Sequence, residues 1–136
     1  MSQQNVEIVR LQNEAFNRGD VATVLELADP GIEWWDREDD PGATVHRGHD
    51  GLTKALAELA DLTELHVEAK EFIDAGEYVV VPVRLTGRGR ASDAVFAEDE
   101  VHVFRLHAAK ITELREYRNI TEALEAVGLA GEDEAG

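Results

Sequence analysis

The sequence predicts an α+β fold, a cone-shaped barrel in which a curved, mostly antiparallel sheet wraps around N-terminal helices. Apolar residues recur with a helical period in roughly the first half of the chain, and later the period changes to two. Turn-forming residues separate the later segments, as expected for a meander of long strands. Helices first and antiparallel strands after are typical of α+β domains. A sheet curved over helices leaves an open mouth, where ligands usually bind.

Composition limits the chain to one domain of moderate size. Its 136 residues suit a single domain, which we assign to residues 1–130, with residues 131–136 as an acidic C-terminal tail. Hydrophobic residues make up 43% of the sequence, which suffices for a core. The chain has no cysteine, so disulfides, thiol catalysis and thiolate metal sites are excluded.

The charge of the chain bears on its partners. Twenty-nine Asp and Glu against thirteen Lys and Arg give a net charge of −16. Such a surface repels phosphates and anionic membranes, so we expect no nucleic acid and no membrane as partners. The N-terminus lacks a signal pattern and no apolar run approaches the ~20 residues that cross a bilayer. We therefore expect a cytoplasmic protein whose partner is a small apolar molecule.

Two helices open the chain. Residues 4–18 place their apolar positions on one side of a helix, which ends at Gly19. Gln12 falls in the middle of that apolar side, where an amide must find a partner or face a cavity. Asp20 is the predicted N-cap of the second helix.

A strand and a third helix follow. Pro30 and Gly31 are expected to end the second helix, and residues 32–36 form a short strand. A turn-rich loop then leads to a helix that begins near His49 or Asp50, with apolar residues at i, i+3, i+4 and i+7.

The second half of the chain reads as four long strands and a short helix. Gly76 marks a hairpin turn, and Pro82 indicates an edge or a bulge inside its strand. Thr121 is the predicted cap of the last helix. The four predicted strands are 64–74, 77–90, 94–106 and 109–119.

The run Trp34-Trp35-Asp36 carries the main chemical signal. Neighbours on a strand point to opposite faces, so one tryptophan enters the cone and Asp36 shares the face of Trp34. A carboxylate beside an indole wall is desolvated, which raises its pKa and makes it a usable base. The alternative is that Asp36 merely opens the following loop.

A second candidate lies on the third long strand. His102 alternates with Phe104, so the two residues share the cavity face. The imidazole could stabilise an oxyanion or shuttle a proton. The alternative is a partly buried histidine satisfied by a neighbour.

The last long strand adds further polar candidates. Glu116 and Arg118 share a face with Leu114, and Glu116 opposite Arg118 or Arg84 could form a polar cluster that positions a water. A solvated arrangement is the alternative, and it is the one that surface ion pairs favour.

The opposite face of these strands is suited to self-association. Tyr117, Val101 and Val103 make a broad apolar outer face, on which we expect a homodimer. A plain surface strand is the alternative.

Other motifs carry little weight. His46 and His49 have an H-x-x-H spacing with Asp50 next to them, but a divalent metal needs more converging ligands. We therefore expect no metal. The serines have no visible base partner, so a serine triad is unsupported.

Three segments together resemble the nuclear-transport-factor-2-like superfamily, and within it the SnoaL-like group. They are FNRGD at 16–20, IEWWDREDDPGATVHRGHDGL at 32–52 and VHVFRLHAAKITELREYRNITEALEAVGL at 101–129. The group is similar to polyketide cyclases, ketosteroid isomerases and limonene epoxide hydrolases. The resemblance implies a cone-shaped barrel, a dimer through the outer sheet face, and cofactor-free chemistry on a small apolar substrate.

The resemblance also implies roles for single residues. Asp36 matches the general-base aspartate of ketosteroid isomerases, His102 the position of their oxyanion-donating aspartate, and Gln12 that of a tyrosine on the first helix. Imidazole and amide still donate hydrogen bonds. Epoxide hydrolases use an Asp–Arg–Asp cluster with a water, part of which Glu116 with Arg118 or Arg84 could imitate.

Three functions remain open from the sequence. The first is a general acid/base isomerase, cyclase or epoxide hydrolase with Asp36, His102 and Gln12 as catalytic residues. The second is a non-catalytic binder of an apolar metabolite, and the third is a dimeric interaction module with a collapsed cavity. In the first two, the substrate-binding residues are Trp34, Phe104, Leu114, Glu116 and Arg118.

Overall fold

The computed structural model describes residues 2–128, so the predicted tail at 131–136 lies outside the described residues. Four helices and seven strands make up this part of the chain. The helices are α1 Ser2–Asn17, α2 Val21–Leu27, α3 Gly48–Leu62 and α4 Ile120–Ala126. The strands are β1 Ala28–Trp35, β2 Val45–Arg47, β3 Thr63–Ala69, β4 Ile73–Ala75, β5 Tyr78–Gly89, β6 Val95–His107 and β7 Lys110–Tyr117.

The strands form a single sheet in the order β2-β1-β7-β6-β5-β3, with β4 also paired to β5. Every neighbouring pair is antiparallel except β1 and β7, which run parallel. The register of β1 on β7 shifts between Ala28 and Glu33, a bulge that decides which side chains of β1 face inward. The predicted α+β class, with a curved sheet around N-terminal helices, is confirmed.

Apolar side chains pack on both faces of this sheet. The main core fills the side on which α1, α2 and α3 lie, and includes Val9, Val81 and Phe104. A smaller cluster on the opposite side joins Val101 and Val103 to α4. The long strands therefore alternate between two apolar environments rather than between core and solvent.

Two asparagines hold α1 against the sheet. Asn17 donates to the carbonyl of Val67 on β3 at 2.8 Å and accepts from the amide of Val67 at 2.9 Å. Asn13, one turn earlier, donates to the same carbonyl at 3.2 Å. These bonds fix the part of α1 that carries Gln12, because a helix moves as a unit over one turn.

Several boundaries agree with the sequence. Asp20 accepts a hydrogen bond from the amide of Thr23 and caps α2, after Gly19 takes a φ of +73°. Gly76 forms the β4–β5 turn with a φ of +76°. Pro82 lies where β5 passes from β4 to β3, and its carbonyl accepts the amide of Lys70.

Three boundaries were predicted wrongly. Strand β1 begins at Ala28 and runs through Pro30 and Gly31, because the bulge accommodates residues that interrupt regular strands. Asn119 caps α4 by accepting from the amide of Glu122, so Thr121 lies inside the helix. The predicted strand 64–74 is two strands, β3 and β4.

None of the helices in the described part of the chain combines the length and apolar character required to span a bilayer.

Candidate functional site

A cavity of about 410 Å³ lies between the helices and the concave face of the sheet. Its walls are mostly apolar, and its polar side chains come from α1, the segment after β1, α3 and the strands β2, β6 and β7. Its lining residues include Gln12, Asn13, Phe16, Trp34, Asp36, Asp40, Pro41, His46, Leu65, Leu85, Glu98, Glu100, His102, Phe104, Leu114 and Glu116.

Strand register explains why these side chains converge. Trp34 pairs with Leu114 on β7, and Leu114 pairs with Phe104 on β6, so the three lie side by side on the inner face. Two residues further along, Glu116 pairs with His102. Because side chains alternate along a strand, Glu116 and His102 point into the cavity beside the row of Trp34, Leu114 and Phe104. They lie at the end of the cavity where Asp36 follows β1.

Glu116 is a partly buried acid that faces the cavity and is bonded to its indole wall. Its Oε2 accepts a hydrogen bond from Nε1 of Trp34 at 2.8 Å. Burial raises the pKa of Glu116, while the nearby His102 lowers it and the charge of Glu100 raises it further. The carboxyl group therefore keeps its proton to higher pH than an ordinary glutamate, which suits a hydrogen-bond donor or general acid.

His102 joins two carboxyl groups into one cluster. Its Nε2 lies 2.8 Å from Oε1 of Glu100, whose residue is only 5% exposed. One ligand atom each from Glu100, His102 and Glu116 lies within 4.8 Å of the others. Two carboxylate oxygens and an imidazole nitrogen can share protons, and the same donor set could hold a divalent cation.

Arg37 balances part of this negative charge from the loop after β1. Its Nη1 lies 3.5 Å from Oε2 of Glu100, and its other nitrogens pair with Asp39 and Asp40. Asp40 itself lines the cavity, and burial raises its pKa, while the charge of Arg37 lowers it. The loop is thus bonded to the buried cluster by an ion pair.

Asp36 lies at the end of β1 and pairs with a histidine. Its Oδ1 lies 3.2 Å from Nε2 of His46, and its Oδ2 accepts the amide of Thr44 at 3.2 Å. The ring of His46 packs on Trp34 with centroids 5.1 Å apart. With a side chain 25% exposed, Asp36 faces the cavity and remains in reach of water, an arrangement suited to a base.

The structure brings together all but one of the residues singled out from the sequence. Seven of them line the cavity, and Arg118 does not. Because β7 ends at Tyr117, the alternation that placed Arg118 with Glu116 no longer applies. Arg118 is exposed and pairs with Glu122 of α4. The lining residues are Gln12, Trp34, Asp36, His102, Phe104, Leu114 and Glu116.

The arginine that the sequence offered as an alternative is also absent from the cavity lining. Arg84 lies on the outer face and pairs with Asp99, which Lys70 also contacts. Glu116 is partly buried and bonded to the indole of Trp34 in the cavity wall, so it is not the solvated side chain that the sequence favoured.

Two site residues received no role from the sequence. Glu100 precedes His102 by two positions, so the alternation of β6 alone places it in the cavity. His46 was considered only as part of the H-x-x-H spacing. His49 instead contacts the carbonyl of Ala28, so the two imidazoles do not form a metal pair. The pairing of β2 with β1 across nine intervening residues was not visible in the sequence.

The apolar outer face predicted for self-association is already covered. Val101 and Val103 are each 4% exposed, because α4 packs on them through Ala123, with Tyr117 at the edge. The sequence-based expectation that Val101 and Val103 form an exposed apolar face was therefore wrong.

The fold and the cavity define a class of α+β cone proteins built around a small-molecule-sized hollow. The chain belongs to the SnoaL-like domain family, whose match covers residues 9–114. A search of curated proteins found no match.

Solved structures agree with this assignment. The chain is 34% identical to an NTF2-like protein from Burkholderia xenovorans LB400, with 93% of this chain and 97% of that chain covered and a TM-score of 0.77. It is 24% identical to a proposed SnoaL-like polyketide cyclase from Jannaschia sp. CCS1, with 92% of both chains covered and a TM-score of 0.75. A protein of ketosteroid isomerase-like fold from Catenulispora acidiphila DSM 44928, in complex with trimethylamine, is 18% identical, with 90% and 93% covered and a TM-score of 0.74.

Proposed function

We propose that the protein is a general acid/base enzyme that isomerises or cyclises a small apolar carbonyl compound with its own side chains. The observation that carries the proposal is the convergence of Asp36 and Glu116 on one mostly apolar cavity, where Glu116 is partly buried and bonded to Trp34. Two acids in different environments are the usual arrangement for a base and an acid in one site.

Asp36 acts as the base. Its carboxylate is held by the amide of Thr44 and by His46, which fixes its orientation toward the cavity. It removes a proton from the carbon next to the substrate carbonyl and becomes a neutral carboxylic acid, and the contact with His46 holds the group in place.

Glu116 and His102 act on the developing oxygen charge. The protonated carboxyl of Glu116 donates a hydrogen bond to the enolate oxygen, with His102 beside it. In an isomerisation, Asp36 returns its proton to a different carbon. In a cyclisation, the enolate carbon attacks a second carbonyl carbon, one C–C bond forms and the π bond of that carbonyl breaks. The proton of Glu116 passes to the new alkoxide, after which Asp36 releases its proton to solvent and Glu116 takes one up. Gln12 offers a further donor from α1.

Epoxide hydration has less support than these reactions. The sequence offered Arg84 or Arg118 for an Asp–Arg–Asp cluster, and both arginines pair with acids away from the cavity. We therefore restrict the proposal to enolate chemistry.

The test measures proton abstraction directly, without a known substrate. We would follow deuterium incorporation into 2-tetralone in D₂O by NMR, with the wild-type protein, Asp36→Asn, Glu116→Gln and the control Asp61→Asn. General-base catalysis contributes about 10²–10⁴-fold, so Asp36→Asn should lose about that factor. Glu116→Gln replaces the acidic O–H donor by a weaker amide donor, so it should also slow exchange, but by less than the about 10²-fold that loss of a whole oxyanion donor costs. Asp61 is exposed on α3 and does not line the cavity, so its variant should exchange like the wild type.

Equal exchange by Asp36→Asn and the wild type would refute the base assignment. In that case the second candidate, a non-catalytic binder of an apolar metabolite, gains support from the same cavity. Binding of 2-tetralone without exchange above the buffer rate would identify that outcome.

Two expectations about the cellular protein remain proposals. We propose that it is cytoplasmic and that it forms a homodimer through the part of the outer sheet face that α4 leaves uncovered. The second proposal is supported by the outward side chains of β3, β5 and β6 beyond α4, of which Ala97 is exposed.

A further inference from the structure

A second chamber of about 510 Å³ lies beside the cavity of the proposed site. It is bordered by the end of α1, by α2, by the last turns of α3, by the start of β3 and by the end of β5, and it opens to solvent beside the exposed residues Val21 and Ala60. Five residues line both spaces and form the wall between them. These five are Phe16, Val24, Leu56, Leu59 and Leu65.

All five wall residues are apolar, whereas the acid/base groups lie elsewhere. Asp36, His102 and Glu116 line only the first cavity and are absent from the wall and from the second chamber. A molecule that extends from the reactive groups through the wall therefore meets hydrocarbon at the point of passage. Apolar extension is favoured there, because each buried methylene gains about 0.8 kcal/mol.

The wall contains one side chain that can open it. Phe16 is partly exposed although it packs against the core cluster, and it projects from α1 one turn after Gln12. A phenyl ring changes position by rotation about two side-chain bonds, without movement of the backbone. The helix itself stays in place, because Asn13 and Asn17 are bonded to Val67.

The far end of the second chamber carries charges that are already paired. Arg90 donates to the carbonyl of Ala60 and lies 3.4 Å from Oε2 of Glu64. A ligand end that reaches this point finds neither an unbalanced cation nor an unbalanced anion. An uncharged hydrocarbon end is therefore preferred over a carboxylate or an amine.

We propose that the second chamber is a subsite for the hydrocarbon extension of an elongated ligand whose carbonyl end occupies the first cavity. The ligand class is a neutral ketone that carries an alkyl or aryl extension, which displaces Phe16 and enters the chamber. This inference rests on the proposed function for the identity of the reactive end.

The experiment measures affinity for a homologous series by calorimetry, without turnover. The ligands are the straight-chain methyl ketones from 2-pentanone to 2-tridecanone. Ala60→Trp fills the second chamber from α3, and Val21→Trp fills it from α2. The matched control is Ala57→Trp, which adds the same side chain to an exposed alanine of α3 that lines neither space.

In the wild type and in Ala57→Trp, affinity should rise with each added methylene through the longer ketones, by up to about fourfold where the methylene is fully buried. In Ala60→Trp and in Val21→Trp, the rise should stop at a shorter chain. If all four proteins give the same series, or if none binds a ketone, the subsite does not exist. The exchange assay tests the acid/base groups separately. If Asp36→Asn exchanges deuterium as fast as the wild type while affinity still rises with chain length, the proposed chemistry is refuted and the subsite is not.

Discussion

Trp34 and Glu116 are joined by a hydrogen bond of 2.8 Å between two adjacent, parallel strands. The indole covers the carboxyl group and also donates to it. Burial raises the pKa of Glu116, and the donated bond lowers it. The net effect raises the pKa of the carboxyl group above that of an ordinary glutamate, which is the direction that a general acid requires.

Glu116→Gln should change how stability depends on pH. Because the pKa of Glu116 is raised in the folded state, its contribution to stability is complete below the ordinary glutamate pKa and is lost as the pH rises through the folded value. Glutamine cannot ionise and still accepts from Trp34. Thermal unfolding should therefore give equal Tm values near pH 4 and a higher Tm for the variant at pH 8. Glu14→Gln, at an exposed position of α1, is the control and should track the wild type at both pH values.

Trp34→Phe should raise the pKa of Glu116. The variant keeps an aromatic wall but removes the N–H donor that stabilises the ionised carboxylate. The side-chain carboxyl carbon of Glu116, followed by NMR titration, should change protonation at a higher pH than in the wild type. Trp35→Phe removes an indole from the opposite face, where it contacts Arg115 and Glu33, and should leave the titration unchanged. A shift of equal size in both variants would contradict the assigned bond.

Asn17→Ala should destabilise the fold. The variant loses both hydrogen bonds to the backbone of Val67 and leaves a half-buried amide and carbonyl without that partner. We expect a loss of about 1–3 kcal/mol in urea unfolding. Asn5→Ala, which removes an exposed bond from α1 to Gly76, should cost less than about 1 kcal/mol. Equal losses in the two variants would mean that the contact with β3 contributes nothing specific.

Ala97→Arg tests the homodimer. Ala97 points outward from β6, beyond the region that α4 covers, and is exposed. If two chains meet on this face, a new arginine should separate them, and sedimentation velocity should show monomers where the wild type shows dimers. Ala57→Arg, on α3, should sediment like the wild type. A wild type that sediments as a monomer at all concentrations would end the proposal.

The sequence predicted the fold well where one pattern dominated. The change of period from helix to strand placed the elements, and the two faces of Trp34 and Trp35 followed from the pleat. The alternation of side chains correctly predicted which residues of the long, regular strands face the cavity, such as His102 and Glu116. The resemblance to the SnoaL-like group is confirmed by the family match.

What the sequence missed depends on contacts between distant segments. Arg118 is the first residue after β7, so it does not follow the alternation of that strand. Strand ends are poorly determined by local sequence pattern. The burial of Val101 and Val103 under α4 required knowledge of where the last helix packs. The partner of Asp36, His46, lies on a three-residue strand too short to show alternation.

The bulge between Ala28 and Glu33 determines which of two neighbouring tryptophans faces the ligand. Removal of one residue from this stretch would shift the register of β1 by one residue, so that each following side chain points to the opposite face of the sheet. Trp35 would then enter the hollow, and Trp34 would lie beside Arg115. A one-codon deletion would thus redesign the site in a single step, so the length of this segment should be more tightly restricted during evolution than the identity of the residues in it.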